Sequence, residues 1–141
     1  MAEANKYPAR LIVITGGEPL MYDLTFLTKA LKQNGFQINI ETSGAYPISG
    51  ELDWICVSPK KFKMPLNDVL AKANELKCII YNKSDFKFAE KNSQHCAEKC
   101  KLFLQPEWSK KEPITPLIVD YVKEHPKWQI SVQTHKYMDI P

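Results

Sequence analysis

Apolar residues in this chain gather in short runs, and the stretches between them differ from gap to gap. The runs are Leu11–Thr15, Gln37–Glu41, Trp54–Val57, Leu76–Tyr81, Lys101–Gln105 and Gln129–Gln133. Each has the length of a strand and none alternates cleanly, the pattern of parallel strands covered on both faces. Apolar positions between the runs mostly recur at helical spacing. Asp23 is placed to cap a helix with the stripe Leu24, Leu27, Ala30 and Leu31, which Gly35 ends. Pro65 suits a first helical turn ahead of Leu66, Val69, Leu70 and Ala73. Ser84 to Lys99 is a more polar helix, and Thr115-Pro116 is a cap and first turn ahead of Leu117, Ile118, Tyr121 and Val122. Pro126 stops that last helix. Only Ser43 to Asp53, with Gly44, Pro47 and Gly50, reads as a plain loop. Alternating strands and helices predict an α/β fold with a mostly parallel sheet of about six strands.

Composition narrows this picture little. The chain has 141 residues, 44% hydrophobic and 25% charged, with a net charge of +3. That size supports one core, and neither a repeat nor a linker divides residues 1–141 into more than one domain. Mixed charges at this balance do not predict a nucleic-acid partner. No apolar run approaches the roughly 20 residues of a membrane span. The polar start "MAEANKYPAR" lacks a signal-peptide core, so a cytoplasmic location is expected. Cys56, Cys78, Cys96 and Cys100 have no disulfide-framework spacing. One oddity remains: a parallel sheet of this kind usually has a strand and helix ahead of its first buried strand, and Met1 to Pro8 is too short to supply them.

Function is read at the carboxyl ends of the strands, where parallel sheets bind ligands. Thr15-Gly16-Gly17-Glu18-Pro19 follows the first strand, Glu41-Thr42-Ser43-Gly44 the second and Ser58-Pro59-Lys60 the third. Gln105-Pro106-Glu107-Trp108 follows the fifth, and Thr134-His135-Lys136 the sixth. Without Cβ atoms, Gly16 and Gly17 let a ligand approach the main chain. Their peptide groups can hold an ammonium and a carboxylate together, and Glu18 can accept from a cationic amine. An amino-acid head group is the ligand this arrangement suits. Neither a Walker loop nor a dinucleotide fingerprint is present.

"TGGEP" after a strand resembles the S-adenosylmethionine-binding motif of the radical S-adenosylmethionine superfamily. Together with "ETSG", "DWICVSPK", "ELKCIIY", "FLQPEW" and "ISVQTHKYMDIP", it is similar in order and spacing to one member family, the 7-carboxy-7-deazaguanine synthases. The resemblance implies a partial, incomplete TIM-like barrel, truncated at its amino end. It implies a lyase of queuosine-precursor (7-deazapurine) biosynthesis. In that family a [4Fe–4S] cluster passes an electron to S-adenosylmethionine, and the resulting 5′-deoxyadenosyl radical abstracts hydrogen from 6-carboxy-5,6,7,8-tetrahydropterin. Ring contraction with loss of ammonia follows, assisted by Mg²⁺, and the cofactors carry the hard chemistry. Family members tend to be homodimers.

Carried over by motif, Gly16 and Gly17 bind S-adenosylmethionine through the main chain, with Glu18, Thr42 and Ser43 in the same pocket. Ser58, Pro59 and Lys60 line the site, and Gln105, Pro106, Glu107 and Trp108 border the adenosyl part. Thr15, His135 and the terminal carboxylate of Pro141 face the pterin substrate. The chain departs from the family in one respect. The family's cluster is held by a C-x₃-C-x₂-C loop upstream of "TGGEP", and no such loop is present here. Cys96 and Cys100 form a C-x₃-C downstream with no third cysteine, and they read as structural. The chain therefore reads as the carboxyl-terminal two-thirds of such an enzyme, inactive by itself. The alternatives are a glycyl-radical-enzyme activating protein, against which the terminal "QTHK" argues, and a non-catalytic S-adenosylmethionine-binding module.

Overall fold

A computed structural model describes residues 4–140. Six strands form one sheet in the order β1 to β6, every adjacent pair parallel. They are β1 (Leu11–Ile14), β2 (Gln37–Thr42), β3 (Trp54–Val57), β4 (Glu75–Ile80), β5 (Lys101–Pro106) and β6 (Trp128–Ile130). All six expected strands are present, and β6 is shorter than its apolar run. The sheet is open: β1 and β6 are its two edges.

Helices α1 (Thr25–Gln33), α2 (Asn67–Lys72), α3 (Ser84–Ser93) and α4 (Lys111–Glu124) connect the strands. A short α5 (Thr134–Tyr137) follows β6. Strand order equals chain order, and parallel crossovers are right-handed, so α1 to α4 lie on one face of the sheet. The main core is on that face. Ile40, Val57, Leu76, Ile80 and Leu104 from the strands meet Val69, Leu70, Ala89, Ile114 and Ile118 from the helices, with Trp128 closing one end.

The other face departs from the expectation of strands covered on both sides. Gln37, Asn39 and Glu41 alternate along β2 with Ile38, Ile40 and Thr42, and the latter three are buried. Glu75 and Lys77 do the same on β4. In parallel register Glu41 stands beside Cys56, which stands beside Glu75, which stands beside Lys101. This face is polar and partly open. On edge strand β1 its Leu11 and Val13 are about half exposed.

Helix boundaries moved where tertiary hydrogen bonds overrode local signals. Asp23 accepts from the Thr25 N–H at 2.9 Å, as a cap would. The Leu24 N–H, however, goes to Ser49 Oγ in the distant β2–β3 loop. Thr28, not the exposed Leu27, is buried on α1; its hydroxyl donates to Leu24 O and accepts the Glu51 N–H. Pro65 lies ahead of α2 rather than in its first turn, because Leu66 is the cap and its N–H is taken by Gly44 O. The polar helix ends at Ser93, six residues short of Lys99. The last helix begins at Lys111, so Thr115 is internal and bonds back to Lys111 O. Pro113 falls in the first turn, where N–H groups are free; Pro116 forgoes one bond inside the helix.

Candidate functional site

Because the strands are parallel, all six carboxyl ends meet one edge of the sheet. The chain bends sharply there at Gly16 and Gly17, with φ of +89° and +37°. This left-handed region disfavours side chains, and space is open around both positions: a Cβ would meet nothing within 4 Å. The peptide groups of this turn are thus unshielded.

Glu18 anchors the turn. It caps the 3₁₀ turn Pro19–Met21 by accepting the Leu20 N–H at 3.2 Å. Its carboxylate also reaches across to the end of β2. The Thr42 hydroxyl donates to Oε1; the Ser43 N–H, at 2.7 Å, and the Ser43 hydroxyl donate to Oε2. An ionised carboxylate has about four acceptor sites, and protein donors fill all of them here. Glu18 thereby fastens the glycine turn to β2 and lines the cavity described next. Burial alone would raise its pKa, but the bonds from Ser43 and Thr42 outweigh burial and hold it below the usual carboxylate range.

A cavity of ≈ 420 Å³ lies over these ends. Thr15, Gly16, Gly17, Glu18, Thr42, Ser43, Ser58 and Lys60 all line it, so the structure assembles the residues expected from the first three strands. Pro59 is the exception: it is buried between Ser58 and Lys60 and is not part of the wall. Lys60 Nζ lies 3.5 Å from Ser58 Oγ. The rim is a tight hairpin closed by a bridge between Lys60 and Lys63, with Phe62 at its tip, 90% exposed. Lys63 stacks over Tyr46 at 3.6 Å, and Lys61 pairs with the buried Asp85.

Glu41, Met21, Tyr46, Phe62 and Lys63 also line the cavity and were not among the expected site residues. Glu41 was the most findable. It continues the Gln37, Asn39 alternation of β2, a period of two that marks one polar face. Lys77 from β4 pairs with it at 3.0 Å. Burial works against the Lys77 ammonium, but the surrounding Cys56, Glu41 and Glu75 outweigh burial and hold its pKa above the ordinary value.

The ends of β5 and β6 form a separate cluster on the same edge. Gln105 is buried and accepts from Ser131 Oγ at 3.1 Å. Pro106 is buried beside it. Glu107 caps the 3₁₀ turn Trp108–Lys110 through the Ser109 N–H, and the Ser109 hydroxyl holds its pKa low. Trp108 packs edge-on to Tyr137 of α5 at 5.0 Å, with Lys111 and Lys136 over its ring. His135 is exposed on α5. None of Gln105, Pro106, Glu107, Trp108 and His135 lines the cavity at β1–β3. Pro141 lies outside the described residues.

Among the described residues, no helix is long and apolar enough to cross a membrane. No group of three or more His, Cys, Asp or Glu side chains is arranged to hold a metal ion among them either. The bare turn leaves room for an amino-acid head group, and no three cysteines gather among the described residues.

No protein-family model matches the chain. Similar curated proteins include the 7-carboxy-7-deazaguanine synthase of Flavobacterium psychrophilum, 57% identical over 138 residues, which covers 98% of this chain and 65% of that protein. The synthase of the same name from Prochlorococcus marinus is 35% identical over an alignment of 162 residues, covering 99% of this chain and 72% of that protein. Among solved structures, QueE from Escherichia coli superposes with a TM-score of 0.82 at 33% identity, over 93% of this chain and 60% of that one. The chain thus spans less than two thirds of the Flavobacterium relative and of the solved Escherichia chain. Similarity of this extent, carried by an open six-stranded parallel sheet with its polar strand ends on one edge, means that the chain belongs to the 7-carboxy-7-deazaguanine synthase family.

Proposed function

We propose that this chain carries the S-adenosylmethionine- and substrate-binding strand ends of a 7-carboxy-7-deazaguanine synthase, a radical lyase acting on a carboxylated pterin. The observation that carries the proposal is the cavity itself. One wall is bare peptide at Gly16-Gly17, and the opposite rim is cationic.

The residues divide the work by chemistry. The peptide groups of Gly16 and Gly17 receive the ammonium and carboxylate of the methionyl head group, because no Cβ holds the ligand away. Ser58 supplies a hydroxyl and Lys60 a cation for a carboxylate. Thr15 faces the substrate beside Glu41, whose carboxylate pairs with Lys77 and can accept N–H groups. Met21, Tyr46 and Phe62 offer apolar surface to flat rings and exclude water from them. Glu18, Thr42 and Ser43 set the wall in place. S-adenosylmethionine supplies the hydrogen-abstracting group once bound with a reduced cluster. Gln105–Trp108 and His135 border the same edge from the other side and complete the site as substrate binds.

By the same proposal this chain alone holds neither the [4Fe–4S] cluster nor Mg²⁺, and a homodimer in the cytoplasm is the expected setting of the whole enzyme. Calorimetry with S-adenosylmethionine tests the binding half. Saturable heat is expected, and Gly17→Val removes it while the far-ultraviolet circular dichroism stays unchanged. Absence of heat with the unmodified chain overturns the proposal. Anaerobic reconstitution with iron and sulfide tests the rest; stoichiometric cuboidal iron would show that the cysteines here do hold a cluster.

The retained cavity also favours a second reading, a binding module without catalysis. Turnover of 6-carboxy-5,6,7,8-tetrahydropterin by a longer protein that joins this chain to a cluster-binding cysteine loop excludes it.

A further inference from the structure

The carboxyl end of β4 is the one strand end that supplies neither a candidate motif nor a wall of the cavity. It holds a buried charge instead. Asp85 follows it in the first turn of α3 and is 3% exposed. One carboxylate oxygen, Oδ2, accepts the Tyr81 N–H at 2.7 Å and the Asn82 N–H at 2.9 Å. The other, Oδ1, is shut off from water and is met by the Lys61 ammonium as an ion pair. That ammonium also lies 5.8 Å from the centre of the Phe88 ring on α3.

Lys61 belongs to the hairpin at the cavity rim. The feet of that hairpin, Pro59 and Pro65, are buried, and residues 60–64 between them are exposed. Its tip has little of its own to hold it. One bridge, Lys60 to Lys63, closes it around the two-residue turn Lys61-Phe62. Hairpin turns of that length favour residues with positive φ, and neither Lys61 nor Phe62 has one. Phe62 is 90% exposed, so apolar packing does not fix the tip. The side chains part in two directions. Lys60, Phe62 and Lys63 line the cavity; Lys61 does not, and reaches across to α3.

We propose that the Lys61–Asp85 ion pair is a latch that holds the hairpin over the cavity, which makes Lys61 and Asp85 positioning residues for a carboxylate-bearing ligand bound there. The proposal rests on the reading of the cavity as an S-adenosylmethionine site, in which Lys60 meets the methionyl carboxylate.

The two partners are unequal, and the inequality sets their roles. Asp85 is fixed, because burial and two main-chain donors hold its carboxylate in place. Lys61 is long, and 54% of its side chain is exposed. A buried carboxylate oxygen left without its counter-charge is costly, so the lysine is drawn in and the hairpin with it. Burial would raise the Asp85 pKa, but Lys61 and the Asn82 and Tyr81 N–H groups outweigh burial and hold it below the usual carboxylate range. With the hairpin set beforehand, a ligand does not have to order Lys60 and Lys63 as it binds.

The test compares Lys61→Met and Asp85→Asn in the whole chain by two measurements. Asp85→Asn keeps an oxygen for the Tyr81 and Asn82 N–H groups, so the turn into α3 survives. The first measurement needs no ligand. The nitrogen–proton Overhauser ratio of the Phe62 amide should match that of the sheet in the unmodified chain and fall in both variants, while Ala89 and Asn92 of α3 stay unchanged. The second is calorimetry with S-adenosylmethionine. Each substitution should weaken binding about tenfold, through lost preorganisation. The double variant should lose no more than either single one, and Lys61→Arg should restore most of the affinity. The two single changes alter local charge in opposite senses, so charge alone would shift affinity in opposite directions; that result overturns the latch. A Phe62 amide equally ordered in every variant overturns it as well. If the unmodified chain takes up no S-adenosylmethionine, the reading of the cavity fails, and the order of Phe62 by itself decides the latch.

Discussion

The two halves of the sheet's carboxyl edge are built on opposite plans. At β1–β3 one carboxylate is saturated by hydrogen bonds from three residues and holds a bare glycine turn against a cavity. At β5–β6 the contacts are aromatic and cationic, and they cluster around Trp108 and the short α5. Hydrogen bonds to a part-buried charge are directional and costly to lose; cation–π contacts near solvent are weak and forgiving. The first half is thus a fixed wall. The second is joined by contacts that cost less to break.

The largest expected effect comes from breaking the fixed wall. Glu18→Ala strands the Leu20 and Ser43 N–H groups and two hydroxyls. Unsatisfied donors of this kind cost about 1–3 kcal/mol, and the loss should be read as a lower urea midpoint with an unchanged slope. An unaltered midpoint would show that the wall is not held by Glu18.

Acid should act on the same carboxylate more gently. Its folded pKa lies below the ordinary 4.5, so its contribution is complete above that value and is lost as pH falls through the folded pKa. The Ser43 amide should titrate with that depressed midpoint in proton–nitrogen spectra. An ordinary or raised midpoint contradicts the arrangement.

On the other side, Gln105→Ala removes only the acceptor of the Ser131 hydroxyl and should cost about 1 kcal/mol in thermal or urea unfolding. Trp108→Ala should be smallest in stability, under about 1 kcal/mol, because its lysine and tyrosine partners remain hydrated. It should nevertheless weaken ligand affinity measured by calorimetry. If Trp108→Ala destabilises the fold more than Glu18→Ala, the contrast between the two halves is wrong.

Much of this could be read from residues alone. Short apolar runs gave the six strands, and Gly16-Gly17 marked a candidate site because missing Cβ atoms let a ligand approach the main chain. Two features stayed hidden. Burial of only one sheet face was masked because open β1 carries Leu11 and Val13, which read as core. Thr28 stands outside the apolar stripe read for α1, yet it is buried and accepts the Glu51 N–H.

By itself the sequence determined periodicity and local chemistry: where strands lie, where the backbone is bare, and which families share those motifs. These depend on neighbours a few residues apart, and the chain's order records them directly. Only the tertiary structure decided which donors saturate Glu18, that Lys77 faces Glu41, and that the strand ends divide into two clusters. Apart from the local Leu20 bond to Glu18, those pairings join residues more than twenty positions apart, and they exist only once parallel strands fix register and bring every carboxyl end to one edge.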